Sequence, residues 1–131
     1  MSNAMNADTN LSGKRIVIVD DDTVSRIFLR ELLTPSGAEL TFLRNGYELI
    51  KYLETNPEPN LILIDVKLPD ADGVELAAQV MVNRPGLKVI AETAYVIDGL
   101  DAKCQKYGLK GCIYKPINQQ ELIKLLLKVV D

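Results

Sequence analysis

Short, continuous apolar runs alternate along the chain with longer segments in which apolar residues recur every three or four positions. The runs at 16–19 and 61–64 consist of valine, isoleucine and leucine. This pattern predicts strands buried on both faces, as in a parallel sheet covered by helices. Three further runs, at 38–43, 87–91 and 111–114, predict three more strands. The run at 38–43 is more polar than the first, which favours a position at the edge of the sheet.

A segment with helical spacing follows each predicted strand, and proline or glycine ends most of these segments. We expect Asp22 or Thr23 to cap the first helix, and Asn118, with Glu121 three residues later, to begin the last. Gly99 falls inside the fourth helix and should weaken it by up to about 1 kcal/mol. The apolar positions at helical spacing in the first four helices are Val24, Ile27, Phe28 and Leu32; Leu49, Ile50 and Leu53; Val74, Ala77, Ala78 and Met81; and Ile97, Leu100, Cys104 and Tyr107.

Five strands that alternate with five helices predict one α/β domain with a doubly wound (βα)5 parallel sheet. In such sheets ligands bind beyond the carboxyl ends of the strands. The residues at those ends are Asp20 and Asp21 after the first strand, Asp65 after the third, Thr93 after the fourth and Lys115 after the fifth. These side chains should therefore meet at one edge of the sheet.

Composition excludes several classes of function. A net charge of -3, without a run of Lys and Arg, argues against nucleic-acid binding. No apolar stretch approaches the roughly 20 residues of a membrane span. Because no secretory signal is visible either, we expect a cytoplasmic protein. The absence of histidine excludes Ser-His, Cys-His and His-metal mechanisms, and the two cysteines, Cys104 and Cys112, are too few for a metal cluster.

The amino-terminal residues differ from the rest of the chain. Residues 1–4 resemble a cloning remnant ahead of a second methionine, Met5, and the sequence stays polar and aperiodic as far as Gly13. We therefore expect a flexible lead-in over residues 1–13. A single folded domain is expected over residues 14–131.

The acidic run Asp20-Asp21-Asp22 follows directly after a predicted buried strand. Three adjacent carboxylates repel one another, and a structure tolerates that cost when a cation or a reaction needs the charge. Carboxylates without histidine or thiolate are hard oxygen ligands that suit Mg²⁺. A lysine and a threonine can contact phosphoryl oxygens as a point charge and a hydrogen-bond donor. This set indicates phosphoryl transfer with a carboxylate as the acceptor.

The same residues resemble the receiver domain of two-component response regulators. The motifs are Asp20-Asp21, the run from Asp65 to Gly73 (Asp-Val-Lys-Leu-Pro-Asp-Ala-Asp-Gly), Thr93-Ala94 and Lys115-Pro116, which follow the first, third, fourth and fifth expected strands in that order. The resemblance extends from about Lys14 to the C-terminus. It implies a CheY-like, flavodoxin-like fold with strand order 2-1-3-4-5. The segments 11–15 and 65–69 are also similar to receivers of hybrid sensor histidine kinases.

The resemblance assigns a role to each site residue. Asp65 matches the phosphoacceptor, Thr93 the hydroxyl that moves onto the phosphoryl group, and Lys115 the family lysine. The bond between Lys115 and Pro116 is expected to be cis, which proline permits. The implied ligands of Mg²⁺, or of Mn²⁺ in its place, are Asp20 through water, Asp21, Asp65 and the backbone carbonyl of Lys67.

The resemblance also implies signalling partners. The phosphoryl donor would be a phosphohistidine on a histidine kinase or a histidine phosphotransfer protein. Phosphorylation would switch the face formed by the fourth helix, the fifth strand and the fifth helix, which is also the implied homodimer surface. The domain itself would not be an enzyme, although it assists its own phosphorylation and dephosphorylation.

Cys112 departs from the family pattern, and the resemblance places Lys67 and Tyr95 beside the route of the hydrolytic water. Cys112 stands where the family has Tyr or Phe, and a thiol is too small to fill that volume; Tyr114 lies two residues further on, on the same face of the sheet. Lys67 and Tyr95 follow the acceptor and the threonine by two residues each. One hypothesis is that these two side chains shield the acyl phosphate from water, and the alternative is that both are surface residues without effect.

Two other functions fit part of the sequence. Residues 20–24 also match the Asp-x-Asp-x-Thr/Val pattern of haloacid-dehalogenase-like phosphatases, with Asp20 as nucleophile and Asp22 as acid. Those enzymes need a further acidic pair on a strand after the lysine, whereas only Glu121 and Asp131 follow Lys115 here. The remaining possibility is an interaction module that is not phosphorylated.

The last helix carries two apolar stripes. Leu122, Leu126 and Val129 form the first, and Ile123, Leu127 and Val130 form the second. The second stripe either widens the face that packs on the core or provides a surface for a partner.

Overall fold

The computed structural model describes residues 10–130, and its central layer is a five-stranded parallel sheet. The strand order is β2-β1-β3-β4-β5, which confirms the predicted topology and places β2 at an edge. The strands are β1 Arg15–Val19, β2 Glu39–Leu43, β3 Leu61–Asp65, β4 Val89–Thr93 and β5 Gly111–Tyr114.

Five helices connect and cover the strands. They are α1 Thr23–Leu33, α2 Gly46–Thr55, α3 Gly73–Met81, α4 Leu100–Lys106 and α5 Gln119–Val129, with a short 3-10 turn at Thr34–Ser36. Asp22 caps α1 by accepting a hydrogen bond from the Val24 N–H, and Asn118 caps α5 by accepting one from the Glu121 N–H, as the sequence predicts.

The pleat of the sheet separates two apolar cores. Residues of odd number in β1, such as Val17, pack with α2, α3 and α4, whereas Ile16 and Ile18 pack with α1 and α5. Both faces of the three central strands are therefore buried. The carboxyl ends of these strands lie together at one end of the sheet, and the acidic residues are located there.

The face of α1 that packs on the core differs from the prediction. Ser25, Leu29 and Leu33 are buried there. Three of the four apolar positions read from the sequence are exposed instead, and we call them the α1 patch: Val24 (73% exposed), Ile27 (52%) and Phe28 (43%). Apolar spacing alone could not distinguish these two faces, because the buried face includes a serine.

The cores of α3 and α4 also differ in detail. In α3, Leu76 and Val80 are buried beside the predicted Val74 and Ala77, while Ala78 is half-buried. Gly99 lies just before α4 in a left-handed conformation, with φ 77, so it precedes the helix rather than weakening its interior. Strand β4 continues to Thr93, two residues beyond the predicted end, and this brings Glu92 into the sheet.

The ends of the domain bear on two predictions. The predicted cloning remnant and most of the flexible lead-in, residues 1–9, lie outside the described residues. Leu11 is buried in the core between α1 and α5, so the packed chain already includes a residue that the boundary at 14 assigned to the lead-in.

On α5, Ile123 and Val130 are also buried, which confirms that the second stripe faces the core. Within residues 10–130, no helix is long and apolar enough to cross a bilayer.

Candidate functional site

Three carboxylates from two neighbouring strands meet at the carboxyl edge of the sheet. Asp20 and Asp21 follow β1, Asp65 ends β3, and carboxylate oxygens of all three lie within 4.8 Å of one another. Asp20 is fully buried, and Asp21 is exposed to solvent. Such a group of hard oxygen ligands fits a small divalent cation with room for water on its exposed side. The sequence prediction of which acids converge is therefore consistent with the geometry.

Asp20 is held in place by contacts from three elements. Its carboxylate accepts hydrogen bonds from Ser25 Oγ on α1 (2.6 Å) and from the Asp22 N–H (2.9 Å). The Lys115 ammonium lies 3.2 Å away. A buried carboxylate is stable only with such partners. The contact with Ser25 also explains why a polar residue occupies the buried face of α1.

Asp65 is largely buried and lies within reach of both a backbone donor and a cation. The Lys67 N–H donates to Asp65 Oδ1 at 3.1 Å, and Lys115 Nζ lies 3.7 Å from Asp65 Oδ2. Burial raises the pKa of Asp65, and Lys115 opposes this effect, while the charges of Asp20 and Asp21 add to it. A cation bound among these acids would remove that repulsion and favour the ionised form of Asp65.

Lys115 lies among three carboxyl groups. Its ammonium is 3.1 Å from Glu92, 3.2 Å from Asp20 and 3.7 Å from Asp65. Burial alone would lower the pKa of Lys115, but the charges of Glu92 and Asp20 outweigh burial and raise it. The lysine therefore keeps its positive charge at neutral pH. The bond from Lys115 to Pro116 is cis, as the resemblance implies.

Glu92 was not predicted as a site residue. It immediately precedes Thr93 on β4, is fully buried, and pairs across the sheet with Asp65 on β3. Burial, followed by the charge of Asp20, raises the pKa of Glu92 to about 8. One feature of the sequence could have indicated this role. Glu92 directly follows the apolar run 87–91, at a position where the strand can continue. A strand predicted to end at 91 instead places Glu92 in a loop.

The raised pKa of Glu92 predicts a specific pH dependence of stability. A carboxyl whose folded pKa exceeds its unfolded value stabilises the protein fully at low pH, and the contribution is lost as pH rises through about 8. In the metal-free protein, the Glu92→Gln variant should gain unfolding free energy relative to wild type between pH 5 and pH 9. Urea unfolding midpoints of both proteins at these two pH values test this expectation. Parallel pH profiles would contradict it.

Thr93 is fully buried at the end of β4, beside the acidic group but not bonded to it. Its hydroxyl oxygen accepts a hydrogen bond from the Tyr95 N–H at 3.1 Å. Among residues 10–130, no hydrogen bond joins Thr93 to Asp65. The Tyr95 ring lies against Lys67, whose ammonium is 4.3 Å from the ring centroid. Lys67 and Tyr95, two positions after Asp65 and Thr93, therefore contact each other.

The loop after β3 is fixed by close backbone packing and by capping. The Gly73 N–H donates to the Val66 carbonyl at 2.7 Å, and a β-carbon at Gly73 would lie 2.0 Å from the Asp65 carbonyl oxygen. Asp72 caps α3, and Lys103 on α4 lies 3.3 Å from its carboxylate. Asp70 accepts hydrogen bonds from the first N–H groups of α2, which lowers the pKa of Asp70. Only a glycine fits at 73.

Cys112 makes a polar contact in place of aromatic packing. Its thiol donates to Asp101 Oδ1 on α4 at 2.5 Å, and the Tyr114 hydroxyl donates to the same oxygen at 3.4 Å. Burial and the hydrogen bond to Asp101 raise the pKa of Cys112 to about 12, so the thiol stays protonated. Cys112 lines a cleft of about 440 Å³ between α4 and β5. With a thiol at this position, we predict that movement of the Thr93 hydroxyl is relayed to this face by other side chains, or that the output is weakened.

The fold and the site together define a class of protein. Carboxylates gather where the strand order reverses between β1 and β3, and a charged lysine reaches them from β5. This is a doubly wound α/β domain equipped for phosphoryl chemistry at a carboxylate. The family model described as the response regulator receiver domain matches residues 16–127, and the chain belongs to that family.

Relatives within the family differ in overall architecture. The chain is 30% identical over 119 residues to the chemotaxis protein CheY of Thermotoga maritima, covering 89% of this chain and 98% of that protein. It is also 30% identical over 122 residues to the sensor protein TorS of Escherichia coli K12, covering 93% of this chain but 13% of TorS. Receivers of this kind thus occur both as nearly the whole of a protein and as a small part of one.

Two solved structures agree with the fold. A CheY-like receiver domain protein from Methanospirillum hungatei JF-1 superposes with a TM-score of 0.82 at 33% identity, covering 90% of this chain and 94% of that one. The receiver domain of the sensor histidine kinase PA1611 from Pseudomonas aeruginosa PAO1, solved with magnesium in its active-site cleft, gives a TM-score of 0.80 at 25% identity, over 91% and 98%. Membership of this family, whose place is in two-component signalling, decides against the phosphatase interpretation.

Proposed function

We propose that Asp65 accepts a phosphoryl group from a phosphohistidine on a histidine kinase or a histidine phosphotransfer protein. The observation that supports this proposal best is the group of three carboxylates within 4.8 Å, with Lys115 Nζ 3.7 Å from Asp65. This chain contains no histidine, so the donor must lie on another domain or protein.

The chemistry needs one nucleophile and several fixed charges. A carboxylate oxygen of Asp65 attacks phosphorus, the P–N bond of the phosphohistidine breaks, the imidazole takes up a proton, and an acyl phosphate remains. Lys115 places a positive charge beside the oxygens of the transferred group, and the Thr93 hydroxyl donates to one of them. Mg²⁺, when bound, supplies Lewis-acid stabilisation of the phosphoryl charge. Its ligands would be Asp21, Asp65, the Lys67 carbonyl and, through water, Asp20.

A small phosphodonor tests both the acceptor chemistry and the need for a cation. Incubation with acetyl phosphate and Mg²⁺ should add one phosphoryl group per chain, measured by intact mass. Excess EDTA should prevent the addition, because the acidic group then repels the donor. Mn²⁺ should substitute for Mg²⁺, since both accept carboxylate ligands. A protein that remains unlabelled with either cation would support the non-phosphorylated interaction module instead.

The α1 patch provides the surface on which the donor would dock. Val24, Ile27 and Phe28 are exposed on the helix that starts directly after the acidic run, and Ser25 on the same helix bonds Asp20. Exposed apolar side chains beside a reactive group are typical of a protein-binding surface. A partner seated there would bring its phosphohistidine towards Asp65.

The contact between Lys67 and Tyr95 bears on the lifetime of the acyl phosphate. If the pair shields Asp65 from water, either Lys67→Ala or Tyr95→Ala should shorten the lifetime by roughly 3- to 10-fold, because either change breaks the same cation–π contact. Decay of the phosphorylated form, followed by intact mass after removal of the donor, measures this. Tyr47→Ala, which removes another exposed ring, is the control. Unchanged lifetimes would show that both are ordinary surface residues.

The wider assignments follow the family and remain proposals for this chain. We infer a receiver domain over residues 14–131 that acts in the cytoplasm, either alone or within a hybrid sensor histidine kinase. It has no enzymatic activity beyond assisting its own phosphorylation and dephosphorylation. Phosphorylation would alter the face formed by α4, β5 and α5 and allow a homodimer there. Light scattering with and without beryllofluoride, a phosphoryl mimic, tests dimer formation. Ile123 and Val130 are buried and would not contribute.

A further inference from the structure

Glu92 is a buried acid that the proposed reaction does not use. The alternation of β4 places its side chain on the same face as Ile90, in the core between α1 and α5, and next to Asp65 on β3. Its contact is the Lys115 ammonium, 3.1 Å from Glu92 Oε1. Within residues 10–130, neither side-chain oxygen accepts a well-formed hydrogen bond.

A glutamate at this position costs stability that an apolar residue would not. The three preceding positions of β4, residues 89–91, are filled by buried apolar side chains, and a buried carboxyl with incomplete hydrogen bonding is unfavourable. Asp20, by comparison, has two further donors in Ser25 Oγ and the Asp22 N–H. Glu92 depends on Lys115 far more than Asp20 does. This difference points to a role at the site rather than in the core.

The Lys115 ammonium already lies among three carboxyl groups, and it donates a hydrogen bond to Asp20. Asp65 is the most distant of them, at 3.7 Å, and Glu92 is the nearest, at 3.1 Å. A phosphoryl group on Asp65 would add oxygens that also attract the ammonium. When Lys115 turns to those oxygens it must lengthen one existing contact. Release of Glu92 leaves a buried carboxyl oxygen without a partner, so that contact resists the movement.

We propose that Glu92 is a positioning residue whose carboxyl oxygen holds the Lys115 ammonium back from the phosphoryl group on Asp65. This inference rests on the proposed phosphorylation of Asp65. Glu92 acts through the 3.1 Å contact between its carboxyl oxygen and the Lys115 ammonium, so a neutral carbonyl oxygen in the same place should keep the effect. It lowers the affinity of the site for a phosphoryl group and favours the unphosphorylated form.

Two substitutions of similar size distinguish the effect of the acceptor oxygen from the effect of the volume that the side chain fills. Glu92→Met removes the oxygen and keeps an apolar chain of similar length, whereas Glu92→Gln keeps a carbonyl acceptor. The readout is the dissociation constant of beryllofluoride at saturating Mg²⁺, with the Mg²⁺ dissociation constant fixed beforehand for each variant. Thermal unfolding confirms that each variant is folded, and Glu92→Leu serves as a second apolar variant if Glu92→Met does not fold.

The expected result is tighter beryllofluoride binding in Glu92→Met, by about threefold or more, with Glu92→Gln close to wild type. A purely structural residue would change the unfolding temperature and leave these constants equal, which would overturn the proposal. Weaker binding in Glu92→Met, or Glu92→Gln matching Glu92→Met, would overturn it too. A wild-type protein that neither binds beryllofluoride nor accepts a phosphoryl group would instead refute the proposed function.

Discussion

Asp65→Asn is expected to abolish phosphorylation by acetyl phosphate while leaving the fold intact. An amide lacks the nucleophilic oxygen that forms the acyl phosphate, and no other acid takes its place between Lys115 and the exposed Asp21. The substitution keeps the shape of the side chain, and it removes a carboxyl whose pKa burial raises, so stability should change little. Intact mass after incubation with donor and Mg²⁺ measures the effect.

The matched control is Asp70→Asn, five residues further along the same loop. Asp70 accepts hydrogen bonds from Gly46 and Tyr47 at the start of α2 and lies outside the acidic group. This variant should still accept one phosphoryl group. If Asp65→Asn were labelled as fully as wild type, the acceptor would be another residue and the proposed function would be wrong at its central point.

Gly73→Ala should destabilise the domain strongly. The added β-carbon would lie 2.0 Å from the carbonyl oxygen of Asp65 and 2.9 Å from its carbonyl carbon. Backbone atoms cannot move aside as the end of a flexible side chain can, so the start of α3 must shift away from the acceptor strand. We expect a loss of at least about 2–3 kcal/mol of unfolding free energy, as for severe overpacking.

Gly86→Ala provides the control for the change in backbone freedom. A β-carbon there would lie 3.5 Å from Glu58 Oε2, an ordinary van der Waals distance. The unfolding free energy of this variant should lie within about 1 kcal/mol of the wild-type value, or slightly above it, because alanine restricts the unfolded chain more than glycine does. The urea unfolding midpoints of wild type, Gly73→Ala and Gly86→Ala measure these differences. Equal midpoints for Gly73→Ala and Gly86→Ala would show that the loop after Asp65 yields easily.

The sequence predicts those features that depend on one element at a time. Continuous apolar runs such as 61–64 locate the buried strands, and strand-end position alone brings Asp20 and Asp65 to one edge. Turn and cap residues such as Asn118 mark helix starts because their chemistry is local.

Features that depend on contacts between elements could not be predicted in this way. The buried face of α1 includes Ser25, whose partner Asp20 lies outside the helix, after β1. Glu92 is tolerated in the core because Lys115 reaches it from β5. Spacing along the chain carries no information on either contact. The contact between Lys67 and Tyr95 also joins two different segments, and their equal offsets from two site residues do not predict it.

The short helix α4 has a consequence for how this domain can change shape. Seven residues make too short a helix to be stable alone. Leu100 and Cys104 of α4 pack in the core. On one side of the helix, Lys103 forms ion pairs with Asp72 and Glu75. On the other side, Asp101 accepts hydrogen bonds from Cys112 and Tyr114. These side-chain contacts are exposed or partly exposed and are each worth little. We therefore expect local opening of α4 to require less free energy than global unfolding, with the sheet intact while this segment rearranges.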